Sequence, residues 1–174
     1  MILVDSREQK CEHVTAAFDN LGIRYDRTKL YVGDYSLPYD QSVCIDRKAN
    51  LQEVYSNVIQ QHDRFRREVC RAMNAGIHLI VLVEDPWIEE LDQVADWKND
   101  RITHWEFVNR MHRAGKMLDT KISDKPPVPS DRLMAAMRSM ALKYGIEWQF
   151  VTHKLCGQRI AEILGEVKTV GTEA

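Results

Sequence analysis

Gly33-Asp34-Tyr35 and, after a short loop, Ile45-Asp46-Arg47-Lys48 are the stretch around which the rest of the chain is read. Side chains of a strand alternate between faces, so Cys44, Asp46 and Lys48 point one way and Val43, Ile45 and Arg47 the other. One carboxylate and one ammonium therefore share a face. A second carboxylate, Asp34, arrives from the other side of the loop, and Gly33 lets the backbone turn sharply enough to present it inward. Two aspartates and a lysine around one phosphate-sized space suit metal-assisted hydrolysis of a phosphodiester. Hard oxygen ligands fit Mg²⁺ or Mn²⁺, which take one or two protein carboxylates and complete their shell with water and substrate phosphate. The lysine then orients or deprotonates the attacking water.

Upstream, residues 2–4 (Ile-Leu-Val) read as a buried strand that delivers Asp5 at its C-terminal end, where open α/β sheets hold their ligands. Asp5 and Arg7 fall on one face. Asp5 is expected to support the metal site, Arg7 to contact a phosphate or lock the acidic cluster, and Glu8 is open between these roles. Val14, Ala17, Phe18 and Leu21 recur at helical spacing before Gly22, which predicts an amphipathic helix over residues 11–21. A strand follows over residues 23–30, then a hairpin pairs residues 35–37 with 43–48.

Downstream, residues 51–75 read as one helix with Val54, Val58, Phe65, Val69 and Met73 on its apolar stripe. A second stripe carries Glu53, Asn57, Gln60, Arg64, Arg67 and Arg71. It starts beside Lys48 and turns basic along its length, so Gln60, Arg64, Arg67 and Arg71 are candidate contacts to a nucleic-acid backbone. The alternative is a solvated face held by intrahelical pairs, Asp63 with Arg67 and Glu68 with Arg71. His62 has no second histidine at a ligand spacing and reads as a surface residue or a support to the site's ligands, not as a metal ligand. Residues 78–83 form a near-continuous apolar run, the pattern of a central strand covered on both faces, and Glu84-Asp85-Pro86 reads as its end.

Of the later chain, residues 87–129 say least. Thr103-x-x-Glu106 predicts a capping box for a helix running to about Met117, with Phe107, Val108 and Met111 in the core. Trp87, Trp97 and Trp105 read as packing, with stacking on exposed bases as the alternative, and residues 124–129, with three prolines, as a loop or hinge. Ser130 is expected to cap a helix bearing Leu133, Met134, Met137, Ala141 and Tyr144, stopped by Gly145. A strand over residues 146–151 and a helix over residues 158–167 follow, and residues 169–174 are expected to fray.

The chain of 174 residues is long enough for one domain and short for two. Its net charge of −2 argues against a protein that coats nucleic acid by bulk electrostatics, so contact with DNA must come from a local basic patch. The four cysteines are far apart, which signals neither a zinc site nor a disulfide framework. A reduced, cytoplasmic setting is the simplest reading. No apolar run is long enough to span a bilayer.

Val-Asp-x-Arg-Glu at residues 4–8, Gly-Asp-Tyr at 33–35 and the acid-Arg-Lys triplet at 46–48, in that order, make the chain resemble the nuclease domain of the XPF family of structure-specific endonucleases. The resemblance implies an α/β fold of the PD-(D/E)XK class, a restriction-endonuclease-like three-layer α/β/α arrangement with a mixed central sheet. It implies a single nuclease domain over residues 1–174, its core at 1–86 and 130–167, with 87–129 as an insertion. It implies that Asp34, Asp46 and the Arg47 carbonyl bind Mg²⁺ or Mn²⁺, that Lys48 positions water and that Asp5 backs the metal shell. Arg7 and Arg47 would steady the phosphate. The implied substrate is DNA with branches, flaps or junctions; a homodimer is compatible with the family, and small stand-alone forms are similar to phage and prophage nucleases. The triplet departs from the family's Glu-Arg-Lys, and the family's later Asp corresponds to Gln52, leaving Glu53 as a candidate substitute. The alternative is a non-catalytic DNA-binding module of the same fold, serving recombination or repair; such modules lose the carboxylates and the lysine, which this chain keeps. A third reading gives the basic stripe to a protein partner.

Overall fold

The computed structural model of the protein describes residues 1–116 and 125–167. The region near Met117, the expected end of the helix after Thr103, and residues 169–174 lie outside them. The strands are β1 (Ile2–Asp5), β2 (Tyr25–Thr28), β3 (Tyr35–Ser36), β4 (Val43–Lys48), β5 (His78–Glu84) and β6 (Glu147–Val151). The helices are α1 (Glu12–Asn20), α2 (Leu51–Tyr55), α3 (His62–Asn74), α4 (Asp100–Arg113), α5 (Ser130–Tyr144) and α6 (Cys156–Ile163).

One sheet runs in the order β2-β1-β3-β4-β5-β6. β3 is antiparallel to both β1 and β4, whereas β1 with β2, β4 with β5 and β5 with β6 are parallel pairs, so the sheet is mixed. Alternation along the central strands divides the core. Leu79, Val81 and Val83 of β5 join Cys44 and the apolar residues of α2, α3 and α5 in one cluster. Ile80 and Leu82 join Ile2, Val4, Tyr35 and Ile45 with α1 and α6 in the other. Helices thus cover both faces, the three-layer α/β/α order expected, and β5 is buried over most of its length because it lies between them.

Two features bring the sheet's functional end together. Gly33 has φ +70, and a Cβ there would meet the Ile45 carbonyl oxygen at 2.8 Å. That approach lets the Asp34 N–H donate to the Ile45 carbonyl at 2.7 Å while the Asp5 N–H donates to the Asp34 carbonyl at 2.7 Å. Asp34 is therefore pinned between β1 and β4. The second feature is a break in the helix expected over residues 51–75. One π-helical turn, Ser56–Gln60, separates α2 from α3, closed by the Gln61 N–H donating to the Ser56 carbonyl at 2.8 Å. The extra residue rotates everything after it by about one helical position.

Other boundaries differ for local reasons. α4 starts at Asp100, capped by the Asn99 side chain accepting from the Arg101 N–H at 3.0 Å, so Thr103 lies inside the helix and opens no capping box. Of its three expected core residues only Val108 is buried; Phe107 is exposed. Pro129 holds the N-cap position of α5, and the Ser130 hydroxyl donates instead to the Trp97 carbonyl at 2.6 Å. This bond ties α5 to the preceding segment, whose Ile88, Val94 and Trp97 pack into the α3/α5 core. Trp87, read as packing, is 85% exposed.

Gly33→Ala is expected to destabilise the protein by about 3 kcal/mol, because left-handed backbone strain and overpacking against Ile45 add. Gly22→Ala, with φ +68 and open space around the Cβ position, should lose only about 1 kcal/mol. Urea midpoints at unchanged m-value check the difference.

Candidate active site

At the C-terminal ends of β1 and β4, a cleft of about 700 Å³ opens between the sheet and α3. Asp5, Arg7, Glu8, Asp34, Asp46, Arg47 and Lys48 line it from the sheet, and Glu53, Asn57, Arg64, Phe65, Arg67, Glu68 and Arg71 from the helices. The site residues expected from sequence, all but Gln60, thus line one opening, but in different capacities.

Asp46 is 3% exposed and its Oδ1 accepts from Lys48 Nζ at 2.8 Å. Its Oδ2 is buried with no hydrogen-bond partner. A buried anionic oxygen without a partner is costly, and a cation in the cleft is the natural remedy. Asp34 Oδ2 accepts from the Arg47 N–H at 2.9 Å, which fixes its carboxylate beside the end of β4. Burial and the neighbouring negative charges of Asp46 and Glu8 push the Asp34 carboxyl well above its ordinary range, against the relief given by Lys48. Lys48 is only 6% exposed; burial disfavours its ammonium, yet Asp46 and Asp34 outweigh this and hold it protonated above its ordinary value. Its Nζ also lies 5.5 Å from the centre of the Phe65 ring.

Asp5 is engaged otherwise. Oδ1 accepts from the Arg7 N–H and Nε at 2.8 Å each, and Oδ2 from Arg7 Nη2 at 2.9 Å and the Leu30 N–H at 2.7 Å. Burial works against its charge, but these donors hold the carboxyl below its ordinary value. The carboxylate expected to back a metal shell instead anchors Arg7, whose side chain stays 63% exposed at the cleft.

Arg47 departs furthest from its expected phosphate contact. Its Nε donates to Glu8 at 2.6 Å, Nη1 to Glu84 at 2.6 Å, and Nη2 to the Gln9 and Lys10 carbonyls at 3.3 and 3.4 Å. The guanidinium is buried on the α1 side of the sheet, opposite Asp46 and Lys48, with every nitrogen engaged. Only its backbone belongs with the cleft's chemistry. Glu8 is correspondingly a partner of Arg47 and, at 3.4 Å, of the Tyr35 hydroxyl.

The basic stripe survives with one substitution. Arg64, Arg67 and Arg71 are exposed and line the cleft, but the π turn moves Gln60 off it and puts Gln61 in its place. Glu68, expected to pair with Arg71 on a solvated face, turns inward; one oxygen accepts from the Gly33 N–H at 3.4 Å, and burial with the nearby Asp46 raises its carboxyl above the ordinary value. Its place three residues before Arg71 and four after Arg64 marks it as an acidic member of the same stripe. Glu53 accepts from the Ala49 N–H at 2.8 Å while Asn50 caps α2, and Gln52, at the family's aspartate position, has a buried amide nitrogen without a partner. Glu84, read as a plain strand end, is buried and holds Arg47 from behind.

The donors facing the cleft are oxygens, Asp34 and Asp46 with Glu68 beyond, which suits Mg²⁺ or Mn²⁺ rather than a soft ion. No helix among the described residues is long and apolar enough to cross a membrane. Against known proteins, the chain's fold is similar to that of XPF from Aeropyrum pernix, with a TM-score of 0.61 at 18% identity over 98% of this chain and 68% of that one. The same relative in complex with DNA gives a TM-score of 0.56 at 18% identity and the same coverage. No curated protein matches the chain. The ERCC4 domain family matches residues 4–156, and with that match over most of its length the chain belongs to the ERCC4-domain family, with the XPF-type nuclease fold.

Proposed function

We propose that the protein is a divalent-metal-dependent DNA endonuclease that hydrolyses phosphodiester bonds in branched, flap or junction DNA. The observation that carries this reading is the buried, unpartnered Oδ2 of Asp46 beside Lys48 in a cleft rimmed by arginines. Asp34, Asp46 and the Arg47 carbonyl would hold Mg²⁺ or Mn²⁺, with Glu68 within reach of the same space. Such an ion, when bound, supplies charge neutralisation at the phosphate and lowers the pKa of a coordinated water.

The chain's own residues do the rest. Lys48, held protonated by Asp46, presents positive charge where the nucleophile and the phosphoryl oxygens meet, and Phe65 beneath it limits its rotamers. Arg7, steered by Asp5, reaches a phosphate from one lip of the cleft. Arg64, Arg67 and Arg71 follow the strand's backbone from the other. Arg47 takes no substrate contact in this scheme; its side chain fixes the strand end whose N–H orients Asp34 and whose carbonyl would join the metal ligands. The DNA bound to the Aeropyrum pernix relative supports DNA as the ligand class. Repair, recombination and a phage setting fit trimming of branched intermediates by a small nuclease.

Labelled flap, fork, gapped and single-stranded DNA with each metal test the proposal. Asp46→Asn and Lys48→Met should each lower the cleavage rate at least about 100-fold while leaving the fold intact by circular dichroism. Absence of cleavage on every substrate with both ions, with Asp46→Ala binding DNA as the wild type does, would transfer the protein to the non-catalytic class.

Replacing Arg64, Arg67 and Arg71 singly by Ala should weaken DNA binding on any sequence. The slope of log K against log salt should fall by about one for each phosphate that is no longer neutralised. Fluorescence anisotropy across a salt series reads both.

Asp34→Asn keeps an acceptor for the Arg47 N–H but removes a charge raised against Asp46 and Glu8. In metal-free buffer it should raise Tm by a few degrees, about 1 kcal/mol, and it should erase the stabilisation that Mg²⁺ gives the wild type. Differential scanning calorimetry with and without Mg²⁺ decides it.

A further inference from the structure

A second cluster of chemistry-bearing side chains lies behind β4, on the α1 side of the sheet. His13 from α1, Glu84 at the end of β5 and Cys156 at the start of α6 each place a ligand atom within 4.8 Å of the others, the one such group of three among the described residues. His13 Nε2 is 2.8 Å from Glu84 Oε1. His153 Nδ1 hydrogen-bonds the other oxygen, Oε2, and the Cys156 thiol also bonds the Glu84 carboxylate. The two imidazoles stack with centroids 3.7 Å apart, so both present a nitrogen to the same carboxylate from side by side.

We infer that His13, His153, Glu84 and Cys156 form a second metal site, distinct from the nuclease cleft, that takes a borderline-soft divalent ion, Zn²⁺ first. The donor set is two imidazole nitrogens, one thiolate and one carboxylate oxygen, which matches tetrahedral zinc and would suit Mg²⁺ poorly. Charge balances as well: thiolate and carboxylate together carry two negative charges. Binding releases the thiol proton of Cys156 to solvent. Burial and the facing Glu84 hold that thiol protonated in the metal-free protein, whereas a bound cation deprotonates it. A zinc ion with bonds of about 2.0 to 2.3 Å needs donors roughly 3.3 to 3.8 Å apart, so His13, Glu84 and Cys156 must tighten by about 1 Å, and exposed His153, which already bonds Glu84, must turn onto the ion as the fourth donor.

The surroundings favour a built site. Gly157, next to Cys156, lets α6 close on α1; a Cβ there would meet the Ala17 Cβ at 2.6 Å and the Val14 carbonyl at 2.8 Å. This contact fixes Cys156 against the turn that carries His13. Cys156 and Glu84 are buried, while the His153 side chain is 66% exposed and gives the ion a route in. Glu84 has lone pairs for both an ion and Arg47, whose charge is also met by Glu8. The ion would therefore tie α1, β5 and α6 together and stiffen the brace behind Arg47. No cysteine spacing announces it, because the fold, not the sequence, brings residues 13, 84, 153 and 156 together.

The full chain, stripped with chelator and held in excess Mg²⁺ to fill the cleft, is titrated with Zn²⁺ and with Co²⁺. One Zn²⁺ per chain with a rise in Tm, and a cobalt spectrum carrying a thiolate charge-transfer band, are expected. Cys156→Ser should abolish that band, and both Cys156→Ser and His153→Ala should weaken Zn²⁺ binding at least tenfold. Asp46→Asn and Cys70→Ser should leave it unchanged. The site is overturned if the wild type binds Zn²⁺ no more tightly than Cys156→Ser, or if its cobalt spectrum lacks the thiolate band. Should Cys156→Ser fail to fold, exposed His153→Ala and the cobalt spectrum of the unaltered protein still decide: unchanged affinity in His153→Ala or no band reduces the cluster to a hydrogen-bond hub around Glu84.

Discussion

Alternation along β4 is the constraint on which the site depends. Successive residues must face opposite sides of the sheet, so Asp46 and Lys48 turn to the α3 side while Arg47 turns to the α1 side. The strand therefore separates two tasks that would conflict on one face. Asp46 and Lys48 stay at an open cleft, where an ion and a phosphate have room. Arg47 is buried among Glu8, Glu84 and two backbone carbonyls, where it can hold the strand's end without competing for substrate. A register slip of one residue would exchange the two sets and destroy both. The parallel pairing of Asp46 with Val81 and Arg47 with Leu82, repeated along β4 and β5, guards against it.

Electrostatics then explains why the cleft side is unsettled without a cation. Asp34, Asp46 and Glu68 converge with one ammonium, Lys48, among them. The cost is visible in the raised Asp34 and Glu68 carboxyls and in the unpartnered Asp46 oxygen. On the other side the balance is reversed: Glu84 sits below its ordinary value because the donors of Arg47, His153 and His13 outweigh its burial. The under-compensated cleft draws a cation in, whereas on the α1 side the carboxylate is already held charged by its donors. The two faces of a single strand show both conditions.

How much of this could be read from the sequence follows from the range of the interactions. The apolar run of β5, the period-two order of β4 and the Gly33 turn are local, and they appear where expected. So does the gathering of Asp34, Asp46 and Lys48 on one opening, because hairpin geometry alone nearly forces it. The role of Arg47 was not legible, since it depends on a partner far along the chain, Glu84; the pairing of Asp5 with Arg7 is local, and only the Leu30 N–H that completes it is distant. Glu84 looked like an ordinary acidic strand end, and nothing local distinguishes it. The π turn was hidden too. Residues 51–75 keep a helical period, and the extra residue shows only in the fold, where Val54 before the turn, Val58 within it and Phe65 after it pack into one cluster.

That turn is more than a shifted boundary. With an unbroken α-helix, Gln60 would face the cleft; the shift brings Gln61 there and carries Arg64, Phe65, Glu68 and Arg71 on with it. Phe65 can then lie under Lys48 and Glu68 can reach the Gly33 N–H, two contacts that link α3 to both arms of the β3–β4 hairpin. The helix thereby becomes a wall of the site instead of a neighbour to it. Because π turns are intrinsically less favourable than α-helix, their retention asks for a compensating gain. Here the gain is that Phe65 lies under Lys48 and Glu68 reaches the Gly33 N–H while Arg64, Arg67 and Arg71 stay on the cleft.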